Sequence, residues 1–167
     1  MPTRGLFATL AVACLALCLA HKHHGHKKDG TLHEHHEVIE VNGDTWEKVI
    51  QGDPHIWVVK FHSPMCGSCL AFAPTFEEAR EKVDGLHWAS VSIDNKDNIP
   101  LAKKFNVLEE GIPNVKLINA GEAPLAVVSG DTPSADTLAA KLLETLKAAG
   151  AKQDPAGYYK SLARGEL

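Results

Sequence analysis

The run Ile56-Trp57-Val58-Val59-Lys60-Phe61-His62-Ser63-Pro64-Met65-Cys66-Gly67-Ser68-Cys69 sets the frame for the whole chain. Its first part, 56 to 61, is mostly apolar and rich in β-branched residues. With turn signals on both sides, it predicts a buried central strand. Pro64 to Gly67 break that strand. Beyond them Phe72, Phe76, Ala79 and Val83 recur at helical spacings, which predicts a long amphipathic helix. Pro74 falls inside it, lacks an amide proton and is expected to kink it.

Cys66 therefore ends a strand turn and opens a helix. Unpaired amides and the helix dipole favour negative charge at that position. They should stabilise a thiolate on Cys66, lowering its pKa below the free value of about 8.5. Cys69, one turn on, should be more buried, less acidic and close enough to form a disulfide. Thiolate attack is the chemistry of disulfide exchange. Cys66 is thus the expected nucleophile and Cys69 the resolving thiol, with Gly67 and Ser68 helping to set the redox poise. Ser68 carries no charge, so a middling reduction potential is expected.

Working outward, residues 37 to 41 alternate like a short strand. Asp44 to Glu47 have capping-box spacing ahead of a helix running to about Gln51, and Gly52-Asp53-Pro54 stops it. Residues 87 to 93 alternate again, and a short helix fits 99 to 105. Gly111-Ile112-Pro113 forms a turn. Strands are predicted at 115 to 118 and 125 to 128, joined by a turn bracketed by Gly121 and Pro124. A last helix over 134 to 148 presents Leu138, Leu142 and Leu146 on one face, with Asp131 or Ser134 as its cap and Gly150 as its stop. The order β-α-β-α-β-α-β-β-α implies a central sheet covered on both faces. The final two strands are joined too tightly for a crossover and must be antiparallel, so the fold class is α/β with a mixed sheet. Trp46, Trp57 and Trp88 are expected in the core. There is no internal repeat.

The flanks differ in texture. Residues 6 to 20 form an uncharged apolar run after Arg4, shorter than the roughly 20 residues of a membrane-spanning helix. Cleavage after Ala20 is expected, with secretory-pathway targeting and no membrane span in the mature chain. Residues 21 to 36 hold His21, His23, His24, His26, His33, His35 and His36, seven of the ten histidines, with one leucine. The segment cannot bury a core, and a disordered leader is expected. Its imidazoles could bind zinc, copper or nickel weakly; a solvated leader without a specific ligand is the plainer expectation. The globular domain is placed at 37 to 150 and a polar tail at 151 to 167. The terminal Arg164-Gly165-Glu166-Leu167 shares only Glu-Leu with the retrieval signal KDEL, so retention in the endoplasmic reticulum lumen, the favoured location, stands beside secretion.

At 167 residues the chain suits one domain, and its 44% hydrophobic and 23% charged content is ordinary for a globular protein. A net charge of −4 argues against a nucleic-acid partner. Cys14 and Cys18 leave with the signal, so the mature chain keeps only Cys66 and Cys69. That count suits a redox centre better than a disulfide scaffold.

The run from Val59 to Cys69, continued by Ala73-Pro74-Thr75-Phe76-Glu77-Glu78, resembles the catalytic domain of protein disulfide isomerases within the thioredoxin superfamily. The resemblance covers about residues 37 to 149. It implies a thioredoxin fold and a cis peptide bond at Pro113 beside the disulfide, where the Ile112 backbone would pair with a substrate strand next to Met65. It further implies protein substrates carrying thiols or disulfides, a redox donor or acceptor of unknown identity, and no cofactor beyond the Cys66–Cys69 disulfide. A monomer is expected.

This sequence also departs from the family pattern. Met65 replaces the usual tryptophan and Ser68 the usual histidine. Lys60 stands where a buried acid commonly assists proton transfer from the second cysteine. Burial could lower the Lys60 pKa and make it an alternative proton carrier; an ammonium reaching solvent along the apolar stem is the plainer expectation. No arginine equivalent precedes the last helix in residues 129 to 133. These changes put efficient isomerisation in doubt while leaving the redox reaction intact.

Three other readings compete, one of them an unreactive Cys66–Cys69 pair with a purely structural role, which a CxxC at a strand-to-helix turn argues against. Zinc at Cys66 and Cys69 would need two more ligands, and His62 is the one nearby candidate, so no metal is assigned to the domain. A non-catalytic thioredoxin-like binding or chaperone module would hold clients without turnover.

Overall fold

The computed structural model describes residues 37–161. The apolar leader, the histidine tract and the terminal Arg-Gly-Glu-Leu lie outside the described residues.

Strand β2 (Trp57–His62) is the axis of the molecule, with nearly every side chain buried. Its neighbours are β3 (His87–Ser92), which runs parallel, and β4 (Asn114–Ile118), which runs antiparallel. Short β1 (Ile39–Glu40) and β5 (Leu125–Ser129) complete a five-stranded mixed sheet of order β1-β3-β2-β4-β5. The β4–β5 pair is antiparallel, as its tight connection requires.

The period-2 alternation of β2 sends side chains to two cores. Val58 joins Phe72 and Phe76 of α2 (Gly67–Lys82), Trp88, and Leu138, Leu142 and Leu146 of α5 (Ala135–Ala148). Trp57, Val59 and Phe61 face the other way, toward Trp46, Leu101 and Phe105. That second layer is built from α1 (Gly43–Trp46), extended by a wider π-type turn over Glu47–Gln51, and α3 (Ile99–Lys104). All three tryptophans are buried. The sheet is covered on both faces because alternate residues of its central strand are apolar on both. This is the thioredoxin fold that the sequence resemblance implies.

Three local features differ from expectation. The first helix is capped by Asn42, whose Oδ1 accepts from Thr45 N while Thr45 Oγ1 accepts from Asn42 N, so the capping box lies two residues before Asp44–Glu47. Threonine at the third helical position returns the hydrogen bond that a glutamate would otherwise supply. A further short helix, α4 (Val107–Glu110), follows α3. Helix α2 contains Pro74, as the sequence implies. Finally, residues 151 to 161, placed in the polar tail beyond the domain, pack onto it. They form a hairpin of β6 (Lys152–Gln153) and β7 (Tyr159–Lys160), with Tyr159 N donating to Gly85 O at 2.8 Å and Tyr159 O accepting from Ile56 N at 2.9 Å. No helix among the described residues is long and apolar enough to cross a membrane.

Candidate active site

Cys66 is the N-cap of α2, with extended backbone (φ −93°, ψ 112°). Its Sγ accepts a hydrogen bond from the Cys69 backbone N–H at 3.2 Å, the place where a capping oxygen usually sits. Ser68 Oγ lies 3.1 Å from the same sulfur. The hydrogen bonds from Cys69 and Ser68 hold the Cys66 thiol below the ordinary cysteine range. The sulfur therefore meets the positive end of a sixteen-residue helix through direct hydrogen bonds.

Cys69 behaves oppositely. It is buried, and burial together with the adjacent Cys66 pushes its thiol up to about 11. Both cysteines are free thiols. Strand β2 and helix α2 thus place two chemically identical groups in unlike environments: one exposed to attack and acidic, one covered and neutral.

The turn leading into Cys66 is held by groups that the sequence does not single out. Ser63 Oγ donates to Asp94 Oδ1 at 2.8 Å and accepts from Met65 N at 3.0 Å, while Ser63 O accepts from Cys66 N at 3.2 Å. Gly67 is exposed, and a side chain there would meet nothing within 4 Å. Met65 is 86% exposed beside Cys66, and Leu70, on the next turn of α2, is also exposed.

Lys60 points to the α2 face of the sheet. It is only 8% exposed, and its Nζ sits 4.5 Å above the centre of the Phe76 ring. The ammonium is therefore held inside against an aromatic face, a favourable cation–π placement, which corrects the plainer expectation that it reaches solvent. Burial lowers its pKa, partly offset by Glu77, Glu40 and Cys69. The positive charge of Lys60 in turn eases ionisation of Cys69.

The Ile112–Pro113 peptide bond is cis. Because Asn114 pairs with Phe61, residues 112 and 113 lie at the same end of the sheet as the Cys66 turn. Pro113 is buried and Ile112 partly exposed. Glu110 anchors this loop. Its Oε2 accepts from Lys116 Nζ at 2.7 Å, Asn114 Nδ2 at 3.0 Å and Ser129 Oγ at 3.0 Å. Burial pushes the Glu110 carboxyl up, but these three donors and the Lys116 charge hold it at about 2. The convergence of donors from β4 and β5 on one carboxylate is a tertiary fact without a sequence motif. Among the described residues, no group of three metal-ligating side chains includes Cys66 or Cys69.

The family model described as Thioredoxin matches residues 37–144. Protein disulfide-isomerase A6 of Mesocricetus auratus is 31% identical over 101 residues, covering 59% of this chain and 23% of the relative. Protein disulfide-isomerase of Triticum aestivum is 31% identical over 88 residues, covering 50% and 16%. Sulfhydryl oxidase 1 of Homo sapiens is 28% identical over 115 residues, covering 64% and 15%. The chain spans less than a quarter of the length of these curated relatives. Among solved structures, the J-Trx1 fragment of ERdj5 superposes with a TM-score of 0.52 at 26% identity, covering 66% of this chain and 52% of that one. Chloroplastic thioredoxin z does so with a TM-score of 0.52 at 24% identity, covering 69% and 96%.

Proposed function

This chain belongs to the thioredoxin family, and from that premise we propose that it is a thiol–disulfide oxidoreductase of the secretory pathway that exchanges disulfides with protein substrates through Cys66 and Cys69. One observation carries the reading: the Cys69 N–H and Ser68 Oγ converge on Cys66 Sγ at the start of α2, while Cys69 itself is buried.

The reaction follows from that asymmetry. The Cys66 thiolate attacks one sulfur of a substrate disulfide. A Cys66–substrate bond forms, the substrate S–S bond breaks, and the leaving sulfur takes up a proton. Cys69 then loses its proton and attacks Cys66 Sγ. The Cys66–Cys69 disulfide forms, and the second substrate thiol departs. Two electrons pass from the pair to the substrate, and a separate dithiol must restore the pair. In reverse, the same steps oxidise a substrate dithiol. Lys60 lowers the cost of ionising Cys69 and, with its own pKa lowered, is the proton carrier of the resolving step. Exposed Met65, with the backbone of Ile112 beside buried Pro113, offers an extended peptide an apolar and hydrogen-bonding edge. The uncharged Ser68 gives the pair a middling potential.

The secretory assignment rests on the apolar leader and on a mature chain with one cysteine pair. A mature N-terminus at His21 supports cleavage of that leader, and an intact Met1 contradicts cleavage in favour of an uncleaved signal anchor.

The decisive assay is reduction of insulin disulfides, followed by turbidity. The wild type should accelerate precipitation and Cys66→Ser should not. Serine is a good N-cap, so this variant keeps the helix start and isolates the chemistry. Equal behaviour of the two proteins would exclude the enzyme and leave a client-binding module.

A further inference from the structure

A second group of reactive side chains sits at the far end of the sheet from the thiols. Asp53 and His55 lie just before β2, and His87 opens β3. Strand β2, six residues long, separates them from the Cys66 turn by roughly 20 Å. One ligand atom from each of the three lies within 4.8 Å of the others. We propose that Asp53, His55 and His87 form a binding site for a divalent zinc-like cation that locks the C-terminal hairpin to the domain.

The donor set suits such an ion. Two imidazoles and a carboxylate are the ligands of a borderline metal, and three protein ligands leave a fourth position for water. Zinc bonds of about 2.0–2.1 Å place tetrahedral ligand atoms roughly 3.3 Å apart. Asp53 Oδ1 lies 2.6 Å from His55 Nδ1 and Asp53 Oδ2 lies 3.8 Å from His87 Nε2, so the two imidazoles approach the two oxygens of one carboxylate. An ion would draw together ligand atoms that already lie within 4.8 Å of one another.

Each ligand is also oriented from behind, as metal ligands commonly are. His55 presents Nδ1 to Asp53 while its Nε2 lies 3.2 Å from Asp154 Oδ2, the carboxylate–histidine arrangement that fixes a ligating tautomer. Asp154 is held in turn by the backbone N–H groups of Ala156 and Tyr158 and by Lys160 Nζ. Asp53 Oδ2 accepts from Trp57 Nε1 at 3.0 Å and Asp53 Oδ1 from His55 N at 3.0 Å. The His87 ring is stacked between Trp57 and Tyr158, with centroids at 4.8 Å and 4.9 Å. Asn119 Nδ2 reaches the carbonyls of Ile50, Asp53 and His55 and fixes the loop from within. The three ligand side chains are 17–22% exposed, reachable by an ion yet largely covered. Sequence spacing hides the site because His87 comes from a segment far along the chain from the Asp53-Pro54-His55 run, and so no metal is assigned to the domain from sequence.

The test is thermal unfolding of the full chain with zinc chloride, in a Cys66→Ser/Cys69→Ser background that removes the thiol ligands. Only a site built by the folded state raises the midpoint, so metal held equally by the histidine tract in folded and unfolded chains does not count. With free zinc about 100-fold above the dissociation constant, the midpoint should rise by about 5 °C or more and return with EDTA. The rise should survive replacement of the seven tract histidines by serine, and disappear in His87→Gln and Asp53→Asn. No rise, or one that persists in His87→Gln, overturns the site and leaves a plain histidine–carboxylate clasp. Ring-nitrogen NMR of the unmutated chain gives a reading free of folding defects: His55 and His87 must both shift on zinc addition, and unchanged signals overturn the proposal.

Discussion

Lys60 is the residue that most sets this site apart, because a cation stands on the strand that feeds the two thiols. Its packing over Phe76 keeps the charge in the layer that also buries Cys69, and that charge lowers the cost of forming the resolving thiolate. Lys60→Met should slow the release of substrate from a Cys66 mixed disulfide roughly fivefold at pH 7, equivalent to about 1 kcal/mol of lost charge–charge stabilisation. The deficit should shrink as pH approaches the Cys69 value near 11, where the thiol ionises without help. Stopped-flow release of a chromophoric thiol measures this, and an unchanged rate would remove Lys60 from the mechanism. At this scale the sequence is highly legible for Cys66 and Cys69, because a CxxC between an apolar strand and an amphipathic helix fixes both local environments. It is less legible for Lys60, whose burial depends on an aromatic ring in another element.

Elements are held by contacts that short motifs do not encode. Glu110 joins α4 to β4 and β5 at the cis-proline loop. Its folded-state pKa near 2 lies below the ordinary value of 4.5, so its contribution to stability is complete above about pH 4.5 and is lost as pH falls toward 2. Glu110→Gln should cost about 2 kcal/mol at pH 7, less than for a fully buried pair because Glu110 keeps 24% of its side-chain exposure. Urea midpoints of the two proteins should converge between pH 4.5 and 2. A gap independent of pH would assign the loss to packing. The C-terminal hairpin shows a different limit. Its strands are two residues each, too short to carry an alternation signal, and its docking depends on Gly85. That residue has φ +77°, and an added Cβ would fall on the Gly157 carbonyl oxygen. Gly85→Ala should destabilise the fold by about 2 kcal/mol and speed hydrogen exchange at the Tyr159 amide, which donates to Gly85 O. Unchanged exchange there would contradict this account of the hairpin.

Across the whole molecule, the sheet does two jobs with its two ends. One end of β2 delivers Cys66 to the start of α2, and the other gathers Asp53, His55 and His87 beneath the C-terminal hairpin. The alternating strands, the leucine face of α5 and the tight β4–β5 turn made the architecture readable, since each is a local pattern with one packing solution. The capping box at Asn42, α4 and the hairpin were not readable to the same degree, since several residues could cap and short elements leave no period. The central claim is that the start of α2 makes one sulfur acidic while burial keeps its neighbour protonated. Residue-resolved alkylation of the reduced protein as a function of pH tests it most directly. Cys66 should react with a midpoint below the free-thiol value of about 8.5 while Cys69 stays nearly unlabelled through neutral pH; two cysteines titrating together like free thiols would contradict the account.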